Sequence, residues 1–241
     1  MDMTYPLPDH LKLLRPLLLQ QLSHRRYAVN RPFVTLSYAQ SLDGSIAPEP
    51  GKPCALSSRA SLEMTHALRA CHQALLVGVE TVLADDPRLN VRYVEGEDPR
   101  PVILDSHLRF PETARVLDSS RKRPWIFTSR EAPVARQRRL EALGIRLFRV
   151  PEERPGRLEL IAVLRCLARC GIGTLMVEGG GCVIQAFLHH RLVDYCVLTL
   201  APRFLGGVRA LAEKAEVPLV NWSYQRLGAD LVVLGRVAAS P

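Results

Sequence analysis

Hydrophobic positions along the chain fall into two kinds of short run. Val34, Leu36 and Tyr38 alternate with polar residues, while 73–77, 101–104, 125–129, 145–150 and 174–177 are mainly apolar and end at Gly, Ser or a polar residue. The first pattern predicts a half-buried strand and the others buried strands. Between them the apolar period lengthens to that of helices. One helix carries Leu62, His66 and Arg69 behind a capping Ser57 or Ser58, with Glu63 placed for a capping contact. Another spans 132–143, with Arg136, Arg138 and Arg139 on an expected solvated face and Gly144 as its stop. A third spans 158–170 and ends at Gly171. This alternation predicts an α/β fold with a mostly parallel central sheet and crossover helices. After Arg191 the pattern changes. A long strand over 193–200, a loop over 202–207 and strands over 222–227 and 231–237 predict a C-terminal antiparallel hairpin around Gly228-Ala229-Asp230. Leu11 to Leu22 is leucine-rich but interrupted by Pro16, which breaks or restarts a helix. Residues 1–30 are therefore expected to be an N-terminal extension and 31–241 one domain, since no linker or internal repeat divides them.

The most informative stretch is Thr174-Leu175-Met176-Val177-Glu178-Gly179-Gly180-Gly181, followed by Cys182, Val183, Ile184, Gln185 and Ala186 at helical spacing. It reads as strand, glycine turn, helix. Glycines admit positive φ and close approach of a ligand, and the first helical N–H groups favour an anion such as a phosphate. Glu178 would face the same opening. A second polar segment after a core strand, 78–92, carries Asp85, Asp86, Arg88 and Arg92 around Pro87 and reads as a ligand-holding loop.

Composition narrows the chemistry. With 32 Lys and Arg against 24 Asp and Glu, the net charge of +8 suits anionic ligands. Basic residues are scattered and aromatics few, so nucleic-acid binding is disfavoured. Six cysteines without a C-x-x-C pair suit reduced thiols rather than a zinc site. Cys166 and Cys170 find no second ligand pair. Asp2, Lys12, Arg15 and Pro16 argue against a signal peptide, and no stretch reaches the roughly 20 apolar residues of a membrane span. A cytoplasmic protein is expected. The Rossmann glycine fingerprint, the phosphate loop, H-E-x-x-H and G-x-S-x-G are all absent. Spacing indicates no partner for His66, His72, His189 or His190, which read as packing or surface residues.

Ala39-Gln40-Ser41-Leu42-Asp43-Gly44, Leu68-Arg69-Ala70, residues 81–89, Asp105-Ser106, Val177-Glu178-Gly179-Gly180 and residues 201–207 occur in an order and spacing that closely resembles the reductase domain of the bacterial riboflavin biosynthesis deaminase-reductase, over about 31–237. The resemblance implies a dihydrofolate-reductase-like fold and an NADPH-dependent reductase, usually a homodimer. Its reaction converts 5-amino-6-(5-phosphoribosylamino)uracil to the ribitylamino product, by hydride transfer to C1′ of the ring-opened imine. By the same resemblance the cofactor contacts fall on Ala39, Thr81, Asp85, Ser106 and Gly180, Gly181, Cys182, Val183, Ile184, Gln185 and Ala186. The substrate contacts fall on Arg69, Leu89, Arg92 and Glu178, with Arg69 and Arg92 as forks for the substrate phosphate. Glu178 is expected to stabilise positive charge on the imine, and Asp85 to orient the nicotinamide side. Where the family has Ser and Trp, this chain has Pro53 and Ala55. The deaminase elements H-x-E and P-C-x-x-C do not occur, so a separate deaminase acts first or the still-aminated pyrimidine is reduced. The alternatives are a pterin or dihydrofolate-like substrate, or a non-catalytic NADPH or pyrimidine binder.

Overall fold

The computed structural model describes residues 8–26, 30–52, 54–119, 121–212 and 216–238. Pro53, singled out above, lies outside them. The chain opens with a 3-10 turn, Asp9–Leu14, and restarts as α1, Arg15–Arg26, with Pro16 in its first turn, where a missing N–H costs nothing. Leu11, Leu14 and Leu17 are buried in the core, so this segment packs on the sheet domain.

The domain then runs β1 (Phe33–Ser41), β2 (Ser45–Ala47), α2 (Arg59–Ala70), β3 (Ala74–Gly78), α3 (Val79–Asp85), β4 (Arg100–Leu104), α4 (Val116–Ser119), β5 (Trp125–Ser129), α5 (Val134–Ala142) and β6 (Arg146–Val150). A small hairpin, β7 (Glu152–Arg154) and β8 (Arg157–Leu158), leads into α6 (Leu160–Arg169). The chain ends with β9 (Thr174–Gly179), α7 (Gly181–His189), β10 (Tyr195–Ala201), β11 (Val208–Arg209), β12 (Leu219–Leu227) and β13 (Asp230–Val237).

Nine strands form one sheet in the order β12-β13-β10-β1-β9-β3-β4-β5-β6. The seven from β10 to β6 are parallel, and β13 and β12 add antiparallel at one edge. The expected parallel sheet and terminal antiparallel pair are therefore present. The helices cover both faces. Met64 and Leu68 of α2, Val82 of α3 and Leu140 of α5 share one apolar cluster, whereas Val163 and Leu167 of α6 and Ile184 and Phe187 of α7 belong to the other.

Order along the sheet matters for function. From β3 the chain proceeds outward through β4, β5 and β6, whereas from β9 it crosses back past β1 to β10. Adjacent β9 and β3 thus send their connections in opposite directions, which opens a crevice at their carboxyl ends. The glycine turn after β9 lies at this switch point.

Three local expectations are corrected. Residues 79–85 form helix α3 rather than a loop, because Gly78 in extended conformation starts it and Asp86, at φ 41°, stops it. Glu63 takes no capping role: Ser58 accepts from the Ser61 N–H, and Glu63 instead pairs with Arg59 at 2.9 Å, one turn back. Arg136 is not on a solvated face. Its guanidinium donates to the Leu108 and Phe110 carbonyls and pairs with Glu112, tying α5 to the loop after β4.

Candidate active site

Glu178 owes its position to an irregularity. Val177 of β9 pairs with Leu76 of β3, but the next β3 residue, Val77, pairs with Gly179, so Glu178 is the extra residue of a bulge. Bulges re-aim a side chain at the end of a strand. Here the carboxylate meets Arg69, in the last turn of α2, through two parallel bonds of 2.6 Å from Nε and Nη2. Arg69 Nη1 donates to the Asn90 carbonyl at 3.0 Å. Only 12% and 14% of the two side chains is exposed. Burial disfavours the Arg69 charge, but the adjacent Glu178 carboxylate more than offsets this and raises its pKa.

This pairing separates two residues that the family resemblance joins. Arg69 is committed to Glu178. Arg92 is exposed, with Nη1 bonded to Asn90 Oδ1 at 2.6 Å, and no described carboxylate lies within salt-bridge distance of it. The segment bearing Arg92 is strained: Leu89 sits at φ 50° with its side chain buried, so any ligand contact there falls to its main chain.

Beyond Glu178, Gly179 and Gly180 take φ of 104° and 85°. A Cβ on Gly180 would stand 3.0 Å from Thr81 Oγ1, and one on Gly78 would stand 3.0 Å from Val183 Cγ2. Glycines therefore let the β3–α3 and β9–α7 junctions touch. Thr81 Oγ1 also donates to the Gly179 carbonyl at 3.3 Å. In α7 the N–H groups of Val183 and Ile184 already bond Gly180 O, and both side chains face the core. The first two N–H groups, of Gly181 and Cys182, have no acceptor within the helix by its geometry and remain for an anion. Cys182 is exposed, Gln185 Oε1 accepts from the Ala212 N–H at 3.0 Å, and Ala186 packs against the core.

The remaining expected contacts lie on neighbouring elements. Ala39 lies on β1, and Asp85 ends α3, exposed, with burial of its surroundings raising its pKa. Ser106 follows β4 and turns its hydroxyl to the Gly156 carbonyl of the β7–β8 hairpin at 3.0 Å. Arg157 of that hairpin reaches Cys182 Sγ at 3.5 Å. The hairpin, which periodicity did not indicate, thus spans from the end of β4 to the start of α7.

Two further residues escaped sequence reasoning. Asp43, read as part of a turn, accepts from Ser41 and Ser45 hydroxyls and from the Leu205 and Gly206 N–H groups, at 2.6 to 2.9 Å. These bonds, led by the Ser41 hydroxyl, hold its carboxyl well below the usual range and latch Leu205 and Gly206 to the turn between β1 and β2. Serines two places on either side of the aspartate were the available signal. His66, read as packing, accepts the main-chain N–H of Arg92.

The family model for the RibD C-terminal domain matches residues 32–233. The chain belongs to the RibD C-terminal domain family. Its relatives include the 2,5-diamino-6-ribosylamino-4(3H)-pyrimidinone 5′-phosphate reductase of Archaeoglobus fulgidus, 39% identical over 73% of this chain and 83% of that protein. The reductase of the same name from Debaryomyces hansenii is 37% identical over 80% of this chain and 83% of its own length. Riboflavin biosynthesis protein RibD of Bacillus amyloliquefaciens is 39% identical, but the match spans 48% of it. Among solved structures, the riboflavin biosynthesis reductase Rib7 of Saccharomyces cerevisiae superposes with a TM-score of 0.76 at 28% identity, covering 93% of this chain and 100% of that one. This RibD-type chain is thus one of a family of riboflavin-pathway reductases. Among its described residues, no group of three or more His, Cys, Asp or Glu is arranged to hold a metal ion, and no helix is long and apolar enough to cross a membrane.

Proposed function

We propose that this chain reduces a 6-(5-phosphoribosylamino)pyrimidine to its ribityl form with NADPH. The observation that carries the reading is a buried, arginine-locked carboxylate beside a glycine helix start at the switch point of the sheet, in a chain of this family. The residues present suit a dinucleotide: Gly179 and Gly180, at positive φ, put no side chain in front of a helix start whose first N–H groups have no acceptor within the helix. Gly181 and Cys182 would hold the pyrophosphate through their N–H groups, with Ala39, Thr81, Asp85 and Ser106 along the rest of the cofactor. Bound NADPH supplies the hydride, and the protein supplies position and field.

Glu178 is held and oriented by the two bonds from Arg69, so its carboxylate stabilises the positive charge that develops at C1′ and nitrogen as the ribosylamine ring opens. Because the two charges are already paired, no rearrangement is needed as charge develops. Arg92 takes the 5′-phosphate, where an exposed guanidinium fork suits a dianion. Asp85 borders the nicotinamide side. The substrate is 5-amino-6-(5-phosphoribosylamino)uracil in the first reading. The 2,5-diamino-pyrimidinone analogue is the second, favoured by the names of the archaeal and fungal relatives. Deamination falls to a separate catalytic unit, and the reaction belongs in the cytoplasm. A homodimer is supported by edge strand β12, which exposes Val220, Trp222 and Tyr224 beside open hydrogen-bonding groups.

The test is loss of NADPH absorbance with each of the two ribosylamines, with dihydrofolate, and with NADH in place of NADPH. Turnover of a ribosylamine that collapses in Arg92→Ala is the expected result. Turnover of dihydrofolate alone, or tight NADPH binding with no turnover of any substrate, overturns the assignment.

A further inference from the structure

Three guanidinium groups gather around one buried imidazole. His66 is 2% exposed and lies one turn before Arg69 on α2. Its Nδ1 accepts the Arg92 N–H at 2.9 Å, which places the ring proton on Nε2. The ring meets Tyr93 edge-on at 4.5 Å, and the Arg59 guanidinium lies 3.9 Å over Tyr93. Burial first, then the charges of Arg69, Arg92 and Arg59, push the His66 pKa down to about 3. The imidazole therefore stays neutral, as an acceptor must.

The charges of the cluster are unequally compensated. Glu178 answers Arg69 and Glu63 answers Arg59, whereas Arg92 has the neutral Asn90 amide oxygen. Its segment is held in a strained conformation, with Asp86 at φ 41° and Leu89 at φ 50°. Strain of that kind persists only where surrounding bonds enforce it. Asn90 Nδ2 donates to Ser119 O, the Val91 N–H donates to Asp98, and the Arg92 N–H donates to His66. Of these anchors, only His66 grips the residue whose charge is left for a ligand.

Resting on the proposed reaction, we infer that His66 is a positioning residue for the substrate phosphate: by fixing the Arg92 main chain it aims that guanidinium at a phosphate monoester without touching the substrate. Its loss should therefore erode the preference for a phosphorylated over a dephosphorylated ribosylamine, rather than the chemistry.

The experiment compares KM and kcat for both substrates in His66→Asn, His66→Gln and His66→Leu. Asparagine keeps an acceptor near the Nδ1 position, glutamine carries its polar end near Nε2, and leucine has none. We expect KM for the phosphorylated substrate to rise about tenfold in the Gln and Leu variants, as for loss of one hydrogen bond. The rise should be small in Asn, kcat should hold, and the dephosphorylated substrate should be little affected. In an Arg92→Ala background the His66 changes should add nothing to the loss of phosphate preference. Equal loss on both substrates, a phosphate preference retained in both Gln and Leu, or an undiminished effect without Arg92 would overturn the inference. If the wild-type protein turns over neither ribosylamine, the proposed reaction fails instead. Calorimetric titration of ribose 5-phosphate into the same variants then decides on His66: unchanged affinity overturns the inference, and weakening in Gln and Leu but not Asn upholds it.

Discussion

Replacing Glu178 by Gln keeps the shape of the side chain and removes its charge. It leaves the Arg69 guanidinium, with 12% of its side chain exposed, without its counter-ion. Breaking a buried pair from one side costs about 3–5 kcal/mol, because the remaining charge stays desolvated. A glutamine oxygen can still accept one of the two 2.6 Å bonds, which places the expected loss near the lower end, about 3 kcal/mol. For a chain of this size that corresponds to a fall in Tm of about 6–12 °C. Arg69→Met should cost a similar amount by stranding the carboxylate, whereas Arg69→Met with Glu178→Leu, which removes both charges, should recover most of it. Urea denaturation of the wild type, Arg69→Met, Glu178→Leu and their combination gives the coupling energy by a double-mutant cycle, with Glu178→Gln measured beside them. NADPH-oxidation assays on the same set read catalysis. There the double variant should be no better than Glu178→Gln, since stability returns without the carboxylate. A single-variant loss below about 1 kcal/mol, the value typical of exposed pairs, would refute the claim that burial makes this pair strong. Recovered activity in the double variant would refute the electrostatic role of Glu178.

Two more outcomes follow from the geometry. His66 has a pKa of 6.5 unfolded and about 3 folded. Below pH 6.5 the unfolded chain binds a proton that the folded one does not, so this site loses stability as pH falls from 6.5 toward 3. Between pH 7 and 4.5 the loss is about 2.5 kcal/mol, measurable as a difference in urea midpoints that His66→Asn should abolish; an unchanged pH slope in that variant would contradict it. Gly180→Ala forces an L-residue to φ 85° and a Cβ to within 3.0 Å of Thr81 Oγ1. It should cost about 1–2 kcal/mol of stability and weaken NADPH binding at least tenfold by fluorescence titration. Gly171→Ala, at φ 84° with open space around it, should cost similar stability and leave cofactor affinity unchanged. Equal NADPH affinities in the two variants would remove Gly180 from the cofactor site.

Some of this protein is written locally in its chain. Apolar runs ending in glycine or polar residues fix where strands stop, and glycines at 144, 171 and 179–181 fix where backbone turns, because each preference acts within a few residues. Hence the alternation of strands and crossover helices in the parallel part, the glycine turn and its helix, and the C-terminal antiparallel pair were readable, as was the family motif set, whereas the order of strands across the sheet was not. Weak or short signals were not. The β7–β8 hairpin has too few residues to show a period, and α3 is a seven-residue helix whose Asp-Asp-Pro end reads as a loop. The pairings that make the site depended on tertiary structure. Arg69 and Glu178 are 109 positions apart and meet only because a one-residue bulge re-aims the carboxylate toward α2. Asp43 finds the 205–207 loop across about 160 residues, and His66 finds Arg92 through a strained segment that no propensity favours. Sequence determined which chemical groups were present and the order of the elements. The partner of each charge was decided by register and by the face of the sheet it occupies, which no local preference encodes.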